Sequence, residues 1–336
     1  MFAQILTVIV VLNILKQQHV VNSAEWSYSK NCVILLYETC DNSQYIEYHF
    51  ISTNNIYDQP IKLDPNNVIL PKTYNVTGPT KVLIHGYGGT RDQSFPEILK
   101  AYTDVPDLNI IIVNWQRISE VPCYVGALIN TWHVGQCTAT LLTSLLAYSG
   151  QSPEQLHLVG FSLGAHVAGI TGTLYTKATN QKFARITGLD PALPLYATLS
   201  FVREWILDVG DAHFVDIIHT NAGVFGKIEN TGDVDFYVNG GSAQPMCSNQ
   251  SSPRLCSHFM APVYFSESIS SNVGFYGKSC PSYYTILFGQ CNYDGNNELT
   301  PIKNSRIMGE HCDTRSRGIY YVKTAYQSPY ALGPYE

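Results

Sequence analysis

The chain has 336 residues, 45% hydrophobic and 14% charged, with a formal net charge of −6. That composition supports a sizeable buried core and excludes a disordered chain. The negative balance excludes nucleic acid as a partner and electrostatic docking on anionic membranes, but leaves apolar contact with a lipid surface open.

In chain order, the N-terminus reads as a secretory signal. Ile5 to Leu15 is almost wholly apolar and too short to span a bilayer, and Val21-Asn22-Ser23 offers small residues for cleavage. Residues 1–23 are therefore expected to be a signal peptide, which implies a secreted, extracellular protein; the alternative is an N-terminal membrane anchor. Nine cysteines suit such a compartment, and their odd number leaves at least one unpaired or intermolecular. Cys247–Cys256 and Cys280–Cys291 look like local loops. No CxxC spacing occurs, so no zinc site is expected. Asn75-Val76-Thr77 and Asn249-Gln250-Ser251 have the form of glycosylation acceptors.

Val33 to Tyr37 and Tyr45 to Ile51 read as strands around a polar turn at Asp41-Asn42-Ser43. Lys81 to Ile84 is a short buried strand that ends in His85-Gly86-Tyr87-Gly88-Gly89. Asn109 to Trp115 has the β-branched density of a strand covered on both faces. Val134 to Tyr148 has helical spacing and stops at Gly150. Strands are also expected at Leu156 to Gly160, Ala184 to Leu189 and Val215 to His219. Strands alternating with helices predict an α/β fold with a mostly parallel, doubly wound sheet. The last third, rich in Gly, Ser, Asn and Tyr, reads as loops around that sheet rather than a separate domain.

Chemistry concentrates at Gly160-Phe161-Ser162-Leu163-Gly164. An apolar strand, a sharp turn and a helix-compatible run turn this G-x-S-x-G string into a nucleophile elbow, with Ser162 in a strained backbone region. A serine hydroxyl needs a base, and the base needs an orienting acid. Asp190 follows a strand in Gly188-Leu189-Asp190-Pro191, where the chain must turn; a turn-capping aspartate is the alternative. His258, in Cys256-Ser257-His258 just before a helical run through Glu267, is the expected base. His311 in a polar turn, His213 and His219 flanking a strand as core or capping residues, and His166 on the elbow helix are weaker candidates. Oxyanion donors are expected at the backbone N–H groups of Leu163 and Tyr87. The base must be neutral to act, so activity is expected to fall in acid.

Together these residues resemble the pancreatic lipase family of animal lipases, and within it the phospholipases A1 of insect venoms. The landmarks are Ile84-His85-Gly86-Tyr87, Gly160 to His166, Gly188 to Ala192, Asp211 to Asp216, Asp235 to Gly241 and Cys256-Ser257-His258. The resemblance implies a single α/β-hydrolase domain over 24–336 without a C-terminal β-sandwich. It implies nucleophile, acid and base at Ser162, Asp190 and His258, and oxyanion donors at Tyr87 and Leu163. It also implies a Cys32–Cys123 disulfide; the pairing of Cys40, Cys137 and Cys312 stays open. Phe161 replaces a usual histidine, Met260 an arginine and Asn114 an aspartate. Of four positions at which some members bind calcium, Asp208 and Asp211 match while Arg203 and Ile206 do not, so no metal and no cofactor is expected.

In the family a disulfide-closed loop before the base covers the cleft. Here Cys247 and Cys256 enclose eight residues with one proline, too few for a long amphipathic lid helix. So short a lid resembles the phospholipase A1 branch. The expectation is a serine esterase that acts on phospholipid, or another lipid ester, at a membrane or micelle surface without colipase. Triacylglycerol or galactolipid hydrolysis, or a non-catalytic lipid-binding protein of the yolk type, are the competing readings.

Overall fold

The structure is a computed structural model that describes residues 24–27, 32–36, 39–40, 44–55, 59–91, 95–196, 203–291 and 305–334. The signal-peptide expectation and the turn at Asp41-Asn42-Ser43 lie outside the described residues.

An eleven-stranded sheet organises the chain. Its strands are β3 (Glu47–Ser52), β4 (Ile61–Leu63), β5 (Thr80–Ile84), β6 (Asn109–Asn114), β7 (Leu156–Phe161), β8 (Arg185–Leu189), β9 (Phe214–His219), β10 (Val234–Val238), β11 (Phe275–Cys280), β12 (Ser305–Met308) and β13 (Gly318–Val322). Their order is β12-β11-β13-β10-β9-β8-β7-β5-β6-β3-β4. From β13 across to β6 the pairs run parallel, and antiparallel pairs close both sides. This is the α/β-hydrolase arrangement. Strands stand where Val33 to Tyr37 and Tyr45 to Ile51 were expected. Val33–Leu36 (β2) pairs with Ala24–Ser27 (β1) in a separate two-stranded sheet. One expectation needs correction. The last third is not only loops, since β10 to β13 extend the sheet.

Both faces of the sheet are covered, since β5, β7, β8, β9 and β10 are buried at every position and alternate side chains point to opposite faces. Val82, Ile84, Ile111, Val113, Leu158 and Ile186 pack with helices α2 (Tyr124–Ser149) and α3 (Leu163–Thr179). Leu83, Ile110, Ile112, Val159 and Leu189 pack with α1 (Pro96–Tyr102) and α4 (Pro253–Ser270). Burying each such aliphatic side chain contributes about 1.5–3 kcal/mol. Helix α2 begins ten residues before the expected Val134, and it ends as expected at Gly150, which adopts the left-handed conformation (φ 70°). A short helix, α5, spans Tyr283–Leu287.

Four disulfides staple this frame: Cys32–Cys123, Cys40–Cys137, Cys247–Cys256 and Cys280–Cys291. The first two anchor the N-terminal segment to the start and middle of α2. Cys312 is the free cysteine and is buried. No described helix is long and apolar enough to cross a membrane.

Candidate active site

Register brings the chemistry to one edge. Ile84 pairs with Gly160, Phe161 with Leu189, and Leu189 with Ile218. The residue that follows the end of each strand, namely His85, Ser162, Asp190 or Thr220, therefore stands at the carboxyl edge of the sheet, where such folds place ligands.

Ser162 has φ 57° and ψ −121°, a region that costs a non-glycine residue about 1–3 kcal/mol. Close packing holds it there. A Cβ on Gly160 would stand 2.3 Å from the Gly164 carbonyl oxygen, and one on Gly164 would stand 2.1 Å from the Ile84 carbonyl oxygen. Both glycines are thus required by the approach of helix α3 to the sheet. A Cβ on Gly86 would lie 2.7 Å from Ser162 Cβ, so the His85-Gly86-Tyr87 turn presses directly on the serine.

That turn is itself fixed. The Trp115 N–H donates to His85 Nε2 at 3.1 Å, so His85 Nδ1 carries the proton donated to the Gly86 carbonyl at 2.9 Å. Burial pushes the His85 imidazole down to about 4, which keeps it neutral. Trp115 Nε1 donates to the His85 carbonyl at 2.8 Å. Asn114 Oδ1 lies 3.3 Å from His85 Nε2. Among the described residues, the Tyr87 and Leu163 N–H groups and Ser162 Oγ meet no hydrogen-bond partner.

Asp190 is fully buried. Its Oδ1 accepts the N–H groups of Thr220 (2.8 Å) and Asn221 (3.0 Å), and its Oδ2 accepts His258 Nδ1–H at 2.5 Å. Gly226 closes over the carboxylate; a Cβ there would lie 2.4 Å from Oδ1. His258 is 6% exposed. It sits within α4 rather than before it, because that helix already begins at Pro253. With Nδ1 engaged by the carboxylate, Nε2 is the nitrogen left to accept a proton.

Sequence reasoning missed Gln244. Its side chain donates to the Thr220 and Val238 carbonyls and accepts from Tyr264 and Asn239, and its N–H donates to Ser257 Oγ. It thereby ties the start of α4 to the ends of β9 and β10. Thr220 and Asn221 were also missed, since backbone donors leave no signal in side-chain identity.

The other histidines lie elsewhere. His166 is buried between the Ala192 carbonyl and the Leu207 N–H, stacked on Tyr196, and burial pushes it down to about 3. His219 is buried against Asp235 and the Lys227 carbonyl. His213 is exposed, so it is not a core residue. His311 bonds the Ile269 carbonyl. Cys247 and Cys256 bridge exposed turns at 248–252 and the first turn of α4. Asp211, raised to about 7 by burial, accepts from Thr173 (2.6 Å) and the Asp208 N–H (2.9 Å). Among the described residues no group of three or more His, Cys, Asp or Glu side chains could hold a metal ion.

An elbow serine and an aspartate–histidine pair on this sheet edge define the α/β-hydrolase class. Residues 18–330 match the family described as Lipase, and the chain belongs to that family. It is 35% identical over 223 residues to Lipase member H-A of Xenopus laevis, covering 65% of this chain and 47% of that one. It is 35% identical over 224 residues to Phospholipase A1 member A of Bos taurus, with the same coverage of 65% and 47%. It is 31% identical over 325 residues to Pancreatic triacylglycerol lipase of Oryctolagus cuniculus, covering 88% of this chain and 66% of that one. The chain spans about half the length of the first of these relatives (47%).

Proposed function

We propose that this chain is a secreted lipid carboxylester hydrolase, and that its preferred reaction is release of the sn-1 fatty acid from phospholipids. Ser162 Oγ attacks the ester carbonyl carbon as its proton passes to His258 Nε2. Asp190 holds the imidazole in the required tautomer, and the N–H groups of Tyr87 and Leu163 receive the oxyanion. Collapse of the intermediate expels the alcohol, which takes the proton from His258. Water then attacks the acyl-enzyme through the same base and frees the acid.

The observation that carries this reading is the buried Asp190–His258 hydrogen bond at the same sheet edge as a strained serine. Four disulfides favour an oxidising, extracellular setting. The Cys247–Cys256 loop serves as a short lid that leaves the cleft open to polar headgroups and lets the enzyme work at a membrane or micelle surface. A relative named for triacylglycerol keeps that substrate as the second reading. The test is to incubate the pure protein with phosphatidylcholine carrying distinct sn-1 and sn-2 chains, and separately with triolein. Release of the sn-1 acid is expected, and Ser162→Ala should release none. Preferential release from triolein would replace the phospholipid reading, and turnover retained in Ser162→Ala would remove the serine mechanism.

A further inference from the structure

Phe161 is the last residue of β7, and Ser162 follows it at the turn into α3. The Phe161 side chain enters the core on the α4 face, 4% exposed. There its ring centroid lies 4.7 Å from the His258 imidazole, tilted by 37°, and 5.2 Å from Phe259. Phe225, from the loop after β9, lies 5.7 Å from the same imidazole, and Phe259 meets it edge-on at 6.1 Å. Three phenyl rings, from a strand end, a loop and a helix, therefore surround one imidazole.

Asp190 grips that imidazole at Nδ1. One such bond fixes the tautomer but leaves the ring free to rock about the Nδ1···Oδ2 line. Contact with flat apolar faces supplies the missing restraint, since tilted aromatic pairs have preferred geometry beyond mere burial. The three phenylalanines are not equivalent. Phe225 is 37% exposed and Phe259 is 45% exposed, so both can swing outward. Phe161 is enclosed, and it is bonded through the main chain to the serine. A shift of its ring relative to the imidazole is therefore also a shift of Ser162 relative to its base.

We propose that Phe161 is a positioning residue whose ring sets the tilt and distance of the His258 imidazole relative to Ser162 Oγ. This rests on the reading of Ser162 and His258 as nucleophile and base. It gives the phenylalanine at this place in the elbow a role in the reaction rather than in stability alone.

The test compares wild type, Phe161→Leu, which keeps apolar bulk without a ring, and Phe161→Tyr, which keeps the ring. The readouts are kcat and KM on a soluble p-nitrophenyl ester, the rate of Ser162 phosphonylation by a fluorophosphonate, and Tm. Loss of near-attack geometry should lower kcat of Phe161→Leu roughly ten- to a hundredfold with KM within about twofold, and should slow phosphonylation in step. Phe161→Tyr should stay within about threefold of wild type on both rates. If Phe161→Leu does not fold, Phe161→Met takes its place with the same expected losses. A leucine or methionine variant with wild-type kcat overturns the proposal, and so does a tyrosine variant that falls as far as leucine. Wild-type protein left unreacted by the probe overturns the hydrolase reading and this proposal together. A reactive wild type beside an equally reactive Phe161→Leu overturns this proposal alone.

Discussion

Strands β5, β7 and β8 carry a polar cluster at each end, and the two clusters differ in what they leave unmade. At the amino end Lys81, His157 and Arg185 stand in register across the three strands. Lys81 meets His157 Nδ1 at 2.9 Å and pairs with Glu310, which also accepts the Tyr102 hydroxyl at 2.7 Å. His157 Nε2 contacts Thr187, whose hydroxyl donates to Asp216. Arg185 forms a bidentate pair with Asp216 (2.7 and 2.8 Å) and donates to the Gly309 and Glu310 carbonyls. Every polar side chain named there has a partner. At the carboxyl end the aspartate and histidine are equally well held, yet among the described residues the hydroxyl of Ser162, on its strained turn, and the N–H groups of Tyr87 and Leu163 have none. A closed buried network stabilises one arrangement of the chain. A network with open positions at one corner has capacity for a reacting molecule.

The largest effect that would sharpen this contrast is at the open end. Asp190→Asn keeps the shape but favours the wrong imidazole tautomer, and should lower kcat on the order of 10⁴-fold while Tm moves little. A steady-state assay beside a thermal melt checks this; comparable losses in both would erase the distinction between the ends. The closed end should give the reverse. Asp216→Asn leaves Arg185 as a buried charge without its partner and should cost about 3–5 kcal/mol in denaturant unfolding, with kcat of the folded fraction unchanged. A large fall in kcat at full stability would show that the amino-end cluster serves the reaction.

The smallest effect concerns pH. Burial alone would raise the Glu310 carboxyl, but Lys81 and Arg185 outweigh it and hold the group below its ordinary 4.5. A depressed carboxyl contributes stability in full above that value and loses it as pH falls through the lower folded value. The Tm difference between wild type and Glu310→Gln should therefore be greatest near neutrality and shrink below pH 4.5. A difference that does not change with pH would contradict the charge pairing.

Much of the open end was legible in the sequence, because its chemistry needs particular side chains at short spacing. Gly160, Ser162 and Gly164 announce an elbow within five residues. Asp190 and His258 are then sought in a fixed order along the chain. The closed end left no such trace. Lys81, His157, Arg185, Asp216 and Glu310 are scattered over more than two hundred positions; the first four are brought together by strand register, and Glu310 reaches them from the turn after β12. For a related reason β11 to β13 read as loops. Phe275-Tyr276-Gly277-Lys278-Ser279-Cys280 is short, mixed in polarity and interrupted by glycine, and it becomes a strand through pairing with β13 and β12. His258 was placed before its helix because Pro253 opens α4 five residues upstream, at a first-turn position where proline is tolerated.

The central claim is that the hydroxyl of Ser162 is activated by the His258–Asp190 pair. The most direct measurement treats folded protein with a fluorophosphonate and maps the adduct by peptide mass spectrometry. One stoichiometric adduct on Ser162 is expected, absent from the Asp190→Asn variant over the same time. An adduct on another residue, or none on folded wild-type protein, would contradict it.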